Sequence, residues 1–159
     1  MTINIICVGN LKEKFWSEAC LEYQKRLRSF CRFNIIEVDE YRLPDSPGDS
    51  LIQLALDEEA KCIIKKLEKN AKTIAMCIEG GHLSSEELSA RINKFSVEGT
   101  SCINFIIGGS WGLSGQIKQM ADGKMSMSKM TFPHQLARVM LCEQIYRAFQ
   151  ISGGGKYHK

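Results

Sequence analysis

Proline is scarce in this chain, with Pro44, Pro47 and Pro133 the only three among 159 residues, so most of its length is free to form helix or strand. No apolar run approaches the roughly 20 residues that a bilayer-spanning helix needs. The first residues, Met1 to Val8, enter an apolar segment without a basic region or a small-residue cleavage site. They read as a strand and not a signal peptide, which sets the expectation of a cytoplasmic protein without a membrane anchor. The seven cysteines (Cys7, Cys20, Cys31, Cys62, Cys77, Cys102, Cys142) are odd in number and widely spaced, with no C-x-x-C pair. That excludes the usual zinc and dithiol motifs, and the expectation is reduced, mostly buried thiols and no metal. Internal repeats and low-complexity tracts are also missing.

What is present is ordinary in bulk. A hydrophobic fraction of 44% and a charged fraction of 25% suit a globular domain, and a chain of this length buries roughly 70% of the surface it exposes when unfolded. The whole of 1–159 is expected to be one domain. The net charge of +3 is uneven: from residue 129 onward, Lys129, Arg138, Arg147, Lys156 and Lys159 face Glu143 alone, so this end carries +4 and the rest −1. A basic end of this kind suits a phosphate backbone, and it equally suits a solvated helix face with a basic tail.

Short β-branched runs alternate with longer amphipathic ones. Strands are expected near 2–8, 33–38, 73–78, 102–107 and 124–128, and helices near 12–30, 50–69, 85–96, 115–121 and 134–150. This is the pattern of a parallel α/β sheet covered on both faces. Trp16, Cys20, Tyr23, Leu27 and Phe30 recur at three- and four-residue spacing and predict the buried stripe of the first helix. Ser84 with Glu87 forms a capping-box pattern, and Ser114 can cap the short fourth helix.

Chemistry concentrates at strand ends. Gly108 and Gly109 close an apolar strand and Gly112 follows just before a helix, so a ligand can approach the backbone closely there. The spacing is neither G-x-G-x-x-G nor G-x-x-x-x-G-K-[ST], which argues against a dinucleotide or P-loop site. Two further loops, Met76 to Gly81 and Met127 to Phe132, should lie at the same carboxyl edge of the sheet, where open α/β sheets place ligands. In the last helix Arg138 and Arg147 are nine residues apart, about 180° around the axis. Glu143 and Arg147 form an i,i+4 pair, which leaves Arg138 as the better functional candidate. The tail, Gly153-Gly154-Gly155-Lys156-Tyr157-His158-Lys159, joins a hinge to a cationic, aromatic and titratable tip. It reads either as a frayed end or as an RNA-contacting arm in which Tyr157 stacks on a base and Lys156 and Lys159 neutralise phosphates.

Three blocks, Ile106 to Ser114, Met127 to Gln135 and Lys156 to Lys159, together resemble the SPOUT (α/β trefoil-knot) RNA methyltransferases. The likeness is greatest to the ribosomal large-subunit methyltransferase H family, and it extends over the whole chain. The resemblance implies a single-domain parallel-sheet α/β fold with a C-terminal deep trefoil knot. It further implies S-adenosylmethionine-dependent methylation of N3 of a pseudouridine in large-subunit rRNA, and a homodimer packed through the last helix. Carried over by position, the cofactor would be held by Met76, Gly108, Met127, Ser128, Lys129, Met130, Thr131 and Phe132. RNA would meet Lys156 and Lys159. The catalytic group would comprise His158, Tyr157 and Arg138, with His158, whose ordinary pKa is about 6.5, removing the imide proton. The chain departs from the family pattern at Cys77 and Gly81, where a carboxylate and a lysine are usual, and at Lys156, where a small residue or proline is usual. Other readings are a related enzyme acting on tRNA, a non-catalytic RNA- or ribosome-binding factor, and, last, a Cys-nucleophile hydrolase, for which Cys142 in mid-helix is poorly suited.

Overall fold

The computed structural model describes residues 1–155. Five strands alternate with five helices: β1 (Thr2–Val8), α1 (Lys14–Leu27), β2 (Arg32–Val38), α2 (Asp49–Ile64), β3 (Lys72–His82), α3 (Ser85–Val97), β4 (Cys102–Ile107), α4 (Gly115–Met120), β5 (Gly123–Ser126) and α5 (His134–Ser152). The strands form one all-parallel sheet in the order β2-β1-β4-β3-β5, as the alternation predicts.

Side-chain alternation along the strands sorts the core onto two faces. Ile3, Ile5, Ile103 and Phe105 pack against α1, α3 and α5 through Cys20, Leu88, Ile92, Leu141 and Ile145. On the other face Ile6, Ala75 and Ile106 meet Ala60 and Ile63 of α2 and Ile117 of α4. β4 lies near the middle of the sheet and is buried at every position, the expected state of a parallel strand covered on both sides. Registered asparagines cross three strands at one level: Asn34 donates to Asn4 at 2.8 Å and Asn4 donates to Asn104 at 3.0 Å.

Local signals act as read. The Ser84–Glu87 capping box has both of its bonds, and Ser114 Oγ accepts from the Ile117 N–H at 3.2 Å. All seven cysteines are free thiols, five of them buried. Burial pushes the Cys7 thiol up to about 12. The α1 stripe is right at Cys20 and Leu27, whereas Trp16 and Tyr23 are only half-buried and Phe30 is exposed. The helix stops at Leu27, so its period no longer governs Phe30, which instead stacks on Phe149 with ring centroids 5.8 Å apart. β3 runs four residues beyond its expected end at 78, through Gly80 and Gly81 to His82. A register shift between Met76 and Gly81 lets it pair with β5 twice. Among the described residues no helix is long and apolar enough to cross a membrane.

Candidate active site at the carboxyl edge of the sheet

Three neighbouring strands, β4, β3 and β5, deliver their carboxyl ends to one cavity of about 820 Å³, a volume typical of a small-molecule site. Its wall holds Met76 to Glu79, Ile107 to Leu113, and Met125 to Ser128, and is completed by Met130 to His134 at the start of α5. A second concavity of about 930 Å³ opens at the opposite end of the strands, where Thr2, Arg32 and Ser101 stand. It lacks the glycine-bearing loops that let a ligand reach main-chain groups.

Two glycines are required by close packing. A Cβ at Gly108 would stand 2.1 Å from the Gly112 carbonyl oxygen, because the loop folds back on itself through a bridge between Gly109 and Gly112. Gly112 itself has φ +80°, the left-handed region that glycine accepts without cost. At Gly80 a Cβ would stand 2.5 Å from the Met125 carbonyl carbon, so the β3 loop passes directly over β5. Of the two, Gly108 lies on the cavity wall and presents main chain there. In the third loop Ser126 Oγ donates to the Ser128 carbonyl at 2.9 Å, and Ser128 Oγ accepts from the Met130 N–H at 3.0 Å. These bonds fix the turn that leads into α5.

Met76, Gly108, Met127, Ser128, Met130, Thr131 and Phe132, all expected at a cofactor site, line this cavity. Lys129 does not; it stands exposed in the same loop. Its backbone can follow the turn while its ammonium remains in water. Lys156, Tyr157, His158 and Lys159 lie outside the described residues.

Arg138, expected in the catalytic group, is not among the residues that line this cavity. It is completely buried. Nη1 donates to Glu37 Oε1 and Nη2 donates to the Gly9 carbonyl at 2.8 Å. Glu37 Oε1 also accepts from the Leu11 N–H at 3.2 Å. Arg138 therefore ties the carboxyl ends of β1 and β2 to α5. Its partner is 101 residues away in sequence, which hid the pairing. Arg147 pairs with Glu143 at 2.9 Å and 2.5 Å, as the i,i+4 spacing predicts.

Sequence reasoning missed a charged pair on the cavity wall. Glu79, from β3, meets Lys118, from α4, at 2.6 Å, and this lysine holds the Glu79 carboxyl below its usual range. The carboxylate and lysine absent at Cys77 and Gly81 thus stand in the same region of space on two different elements. His134 also lines the wall. Burial pushes its imidazole below the ordinary 6.5; Glu40 opposes that shift, and Arg138 and Lys12 add to it. A neutral imidazole at the start of α5 can accept a hydrogen bond without adding positive charge. Above it, Ser110 Oγ donates to Glu40 Oε1 at 3.3 Å and joins the glycine loop to the segment after β2.

The arrangement suits a ligand gripped by main chain, with few committed side chains. A family model described as a predicted SPOUT methyltransferase matches residues 1–158. A relative from Methanococcus maripaludis is 49% identical over 100% of both chains. The Clostridium botulinum protein named ribosomal RNA large subunit methyltransferase H is 48% identical, again over 100% of both. Among solved structures, a Bordetella pertussis protein described as a probable methyltransferase superposes with a TM-score of 0.59 at 12% identity, covering 92% of this chain and 95% of its own. That last likeness speaks for the fold alone. With a family match across nearly every residue and full-length relatives near half identity, the chain belongs to the SPOUT methyltransferase family, alongside the ribosomal RNA large subunit methyltransferase H proteins.

Proposed function

We propose that this protein methylates N3 of a pseudouridine in large-subunit ribosomal RNA, on the assembled ribosome, with S-adenosylmethionine as methyl donor. The observation that carries the reading is the meeting of three loops at adjacent strand ends around one glycine-walled cavity, in a chain of a methyltransferase family. The substrate class follows its full-length relatives, which are named for the ribosomal RNA of the large subunit.

The cavity fits the donor in size and in chemistry. Gly108, Gly109 and Gly112 line the cavity without side chains, so main-chain N–H and C=O groups there can read a polar ligand. Met76, Leu113, Met127 and Phe132 offer apolar and polarisable walls to a planar base. When bound, S-adenosylmethionine supplies an electrophilic methyl group on a sulfonium. The residues present have three tasks: to align an acceptor in line with that methyl, to keep water out, and to take the proton from the acceptor nitrogen. We assign the proton to His158 and the placing of the base to Tyr157, with Lys156 and Lys159 on phosphates. Arg138 serves as a positioning residue. Lys129 holds its place in the cofactor loop through its main chain.

The same reading includes one domain spanning 1–159, a deep trefoil knot, a homodimer joined through α5, and a cytoplasmic location. What supports the knot is the return of the chain: β5 pairs outside β3, and the chain then packs as α5 on α1 and α3, its start lining the same cavity as the loop at Gly108 to Gly112. Shared active sites follow, one protomer's tail meeting its partner's cofactor.

The test is incorporation of labelled methyl into ribosomes that lack the modification, comparing the intact protein with His158→Ala and with a deletion of 156–159. Label at pseudouridine N3 that drops at least about 100-fold in both variants is the expected result, the usual scale of general-base catalysis. Label on a tRNA or on a ribose would overturn the substrate assignment. Cofactor binding without transfer to any RNA would overturn the reaction.

A further inference from the structure

A smaller depression of about 410 Å³ adjoins the site, and Ser110 and Trp111 line both cavities. Its other walls come mainly from the segment after β2, including Tyr41, Arg42 and Pro44. Trp111 is 52% exposed and Tyr41 is 38% exposed, large rings left open to solvent beside a reaction site. Tyr41 is held through its main chain and Trp111 through its neighbour Ser110. The Tyr41 N–H donates to Glu59 Oε1 at 3.0 Å, and Glu59 is a buried carboxylate of α2. Ser110 next to Trp111 donates to Glu40 next to Tyr41. Pro44 and Pro47 fix two further φ angles in the same segment. The depression is therefore set before any ligand arrives, and ordering its walls costs a ligand little.

Charge selects among ligands. Among the described residues Arg42 is the one cation in the lining, whereas Glu40, Asp45 and Glu59 contribute carboxyl groups. A phosphate would be repelled from that floor. A nucleobase stacked on an aromatic ring would not be, since its amino groups can donate to carboxylates while Arg42 meets the backbone outside. Resting on the reading that the substrate is RNA, we propose that Trp111, Tyr41 and Arg42 form a receiving platform for one unpaired nucleobase that flanks the methylated nucleotide. The shared wall at Trp111 makes this neighbour contiguous with the target. The platform gives the enzyme a second point of register on an RNA that presents single-stranded bases, without a separate RNA-binding domain.

Tyr41 lines only the outer depression, so it separates this role from cofactor binding. With ribosomes that lack the modification as substrate, Tyr41→Ala and Arg42→Glu are expected to raise KM roughly 5- to 50-fold, in line with the loss of one stacked base or one phosphate contact. The dissociation constant of S-adenosylmethionine, measured by calorimetry, stays within about twofold in both. Trp111→Phe retains most of the activity and Trp111→Ala loses it, because a flat ring is what stacking needs. A photocrosslinking amino acid in place of Tyr41 should label ribosomal RNA next to the methylated nucleotide. Unchanged KM in Tyr41→Ala overturns the platform, and so does crosslinking to a ribosomal protein, while methyl transfer by the intact enzyme continues in either case. No transfer to any RNA by the intact protein would instead sink the underlying assignment.

Discussion

At the scale of single residues, the site depends on what glycine leaves out. Gly108 and Gly115 lie seven positions apart and respond oppositely to a methyl group. At Gly108 the added Cβ would enter the Gly112 carbonyl, so the loop must open. Gly108→Ala is expected to weaken S-adenosylmethionine binding at least about tenfold, seen by calorimetry, and to cost about 1–3 kcal/mol of stability from overpacking. At Gly115, the first residue of α4, a Cβ meets nothing within 4 Å. Gly115→Ala should leave binding alone and stabilise the fold by about 0.5 kcal/mol, through the entropy of the unfolded chain and helix propensity. His134 gives a second single-residue signature. Its folded-state pKa is lowered, so the unfolded chain takes up the proton first as pH falls. The neutral form's contribution to stability is complete above about 6.5, the unfolded value, and is lost as pH falls from there toward the lowered folded value. Below that value both states are protonated and the loss levels off. Tm recorded against pH should decline over this window in the parent protein and decline less in His134→Gln.

At the scale of elements, α5 is the part on which the site leans, and Arg138 is where it is fastened to β1 and β2. Arg138→Met removes the cation, leaves the Gly9 carbonyl without this donor and leaves Glu37 with the Leu11 N–H. The expected loss is about 3 kcal/mol in denaturant unfolding, at the low end for a broken buried pair because the Glu37 side chain is 38% exposed and can recover some hydration. Elements were also the level at which the sequence was most readable. Hydrophobic period, the Ser84–Glu87 box and Ser114 marked helices within five residues of their observed ends, because those signals are local. β3 looked shorter than it is, since Gly80 and Gly81 read as a turn and only pairing with β5 keeps them extended. The glycine loops announced the cavity. Glu79–Lys118 and Arg138–Glu37 did not announce themselves, because each joins residues that come together only after the sheet has an order, and no short-range pattern encodes that order.

At the scale of the whole molecule, that order has a temporal side. β1 sits inside the sheet between β2 and β4, and its pairing with β4 joins Thr2 to Cys102, while β2 is reached by residue 32. A ribosome adding about 5–20 residues per second makes β1 wait some 5–20 seconds for its second neighbour. For that interval one edge of Thr2–Val8, a strand with six of seven residues destined for burial, has no partner. Nascent chains stalled before residue 102 should therefore be cut by protease throughout, and those with residue 152 outside the tunnel should resist. This methyltransferase would spend its first seconds as an unfinished sheet at the ribosome's exit, with that edge open until its later half has been made.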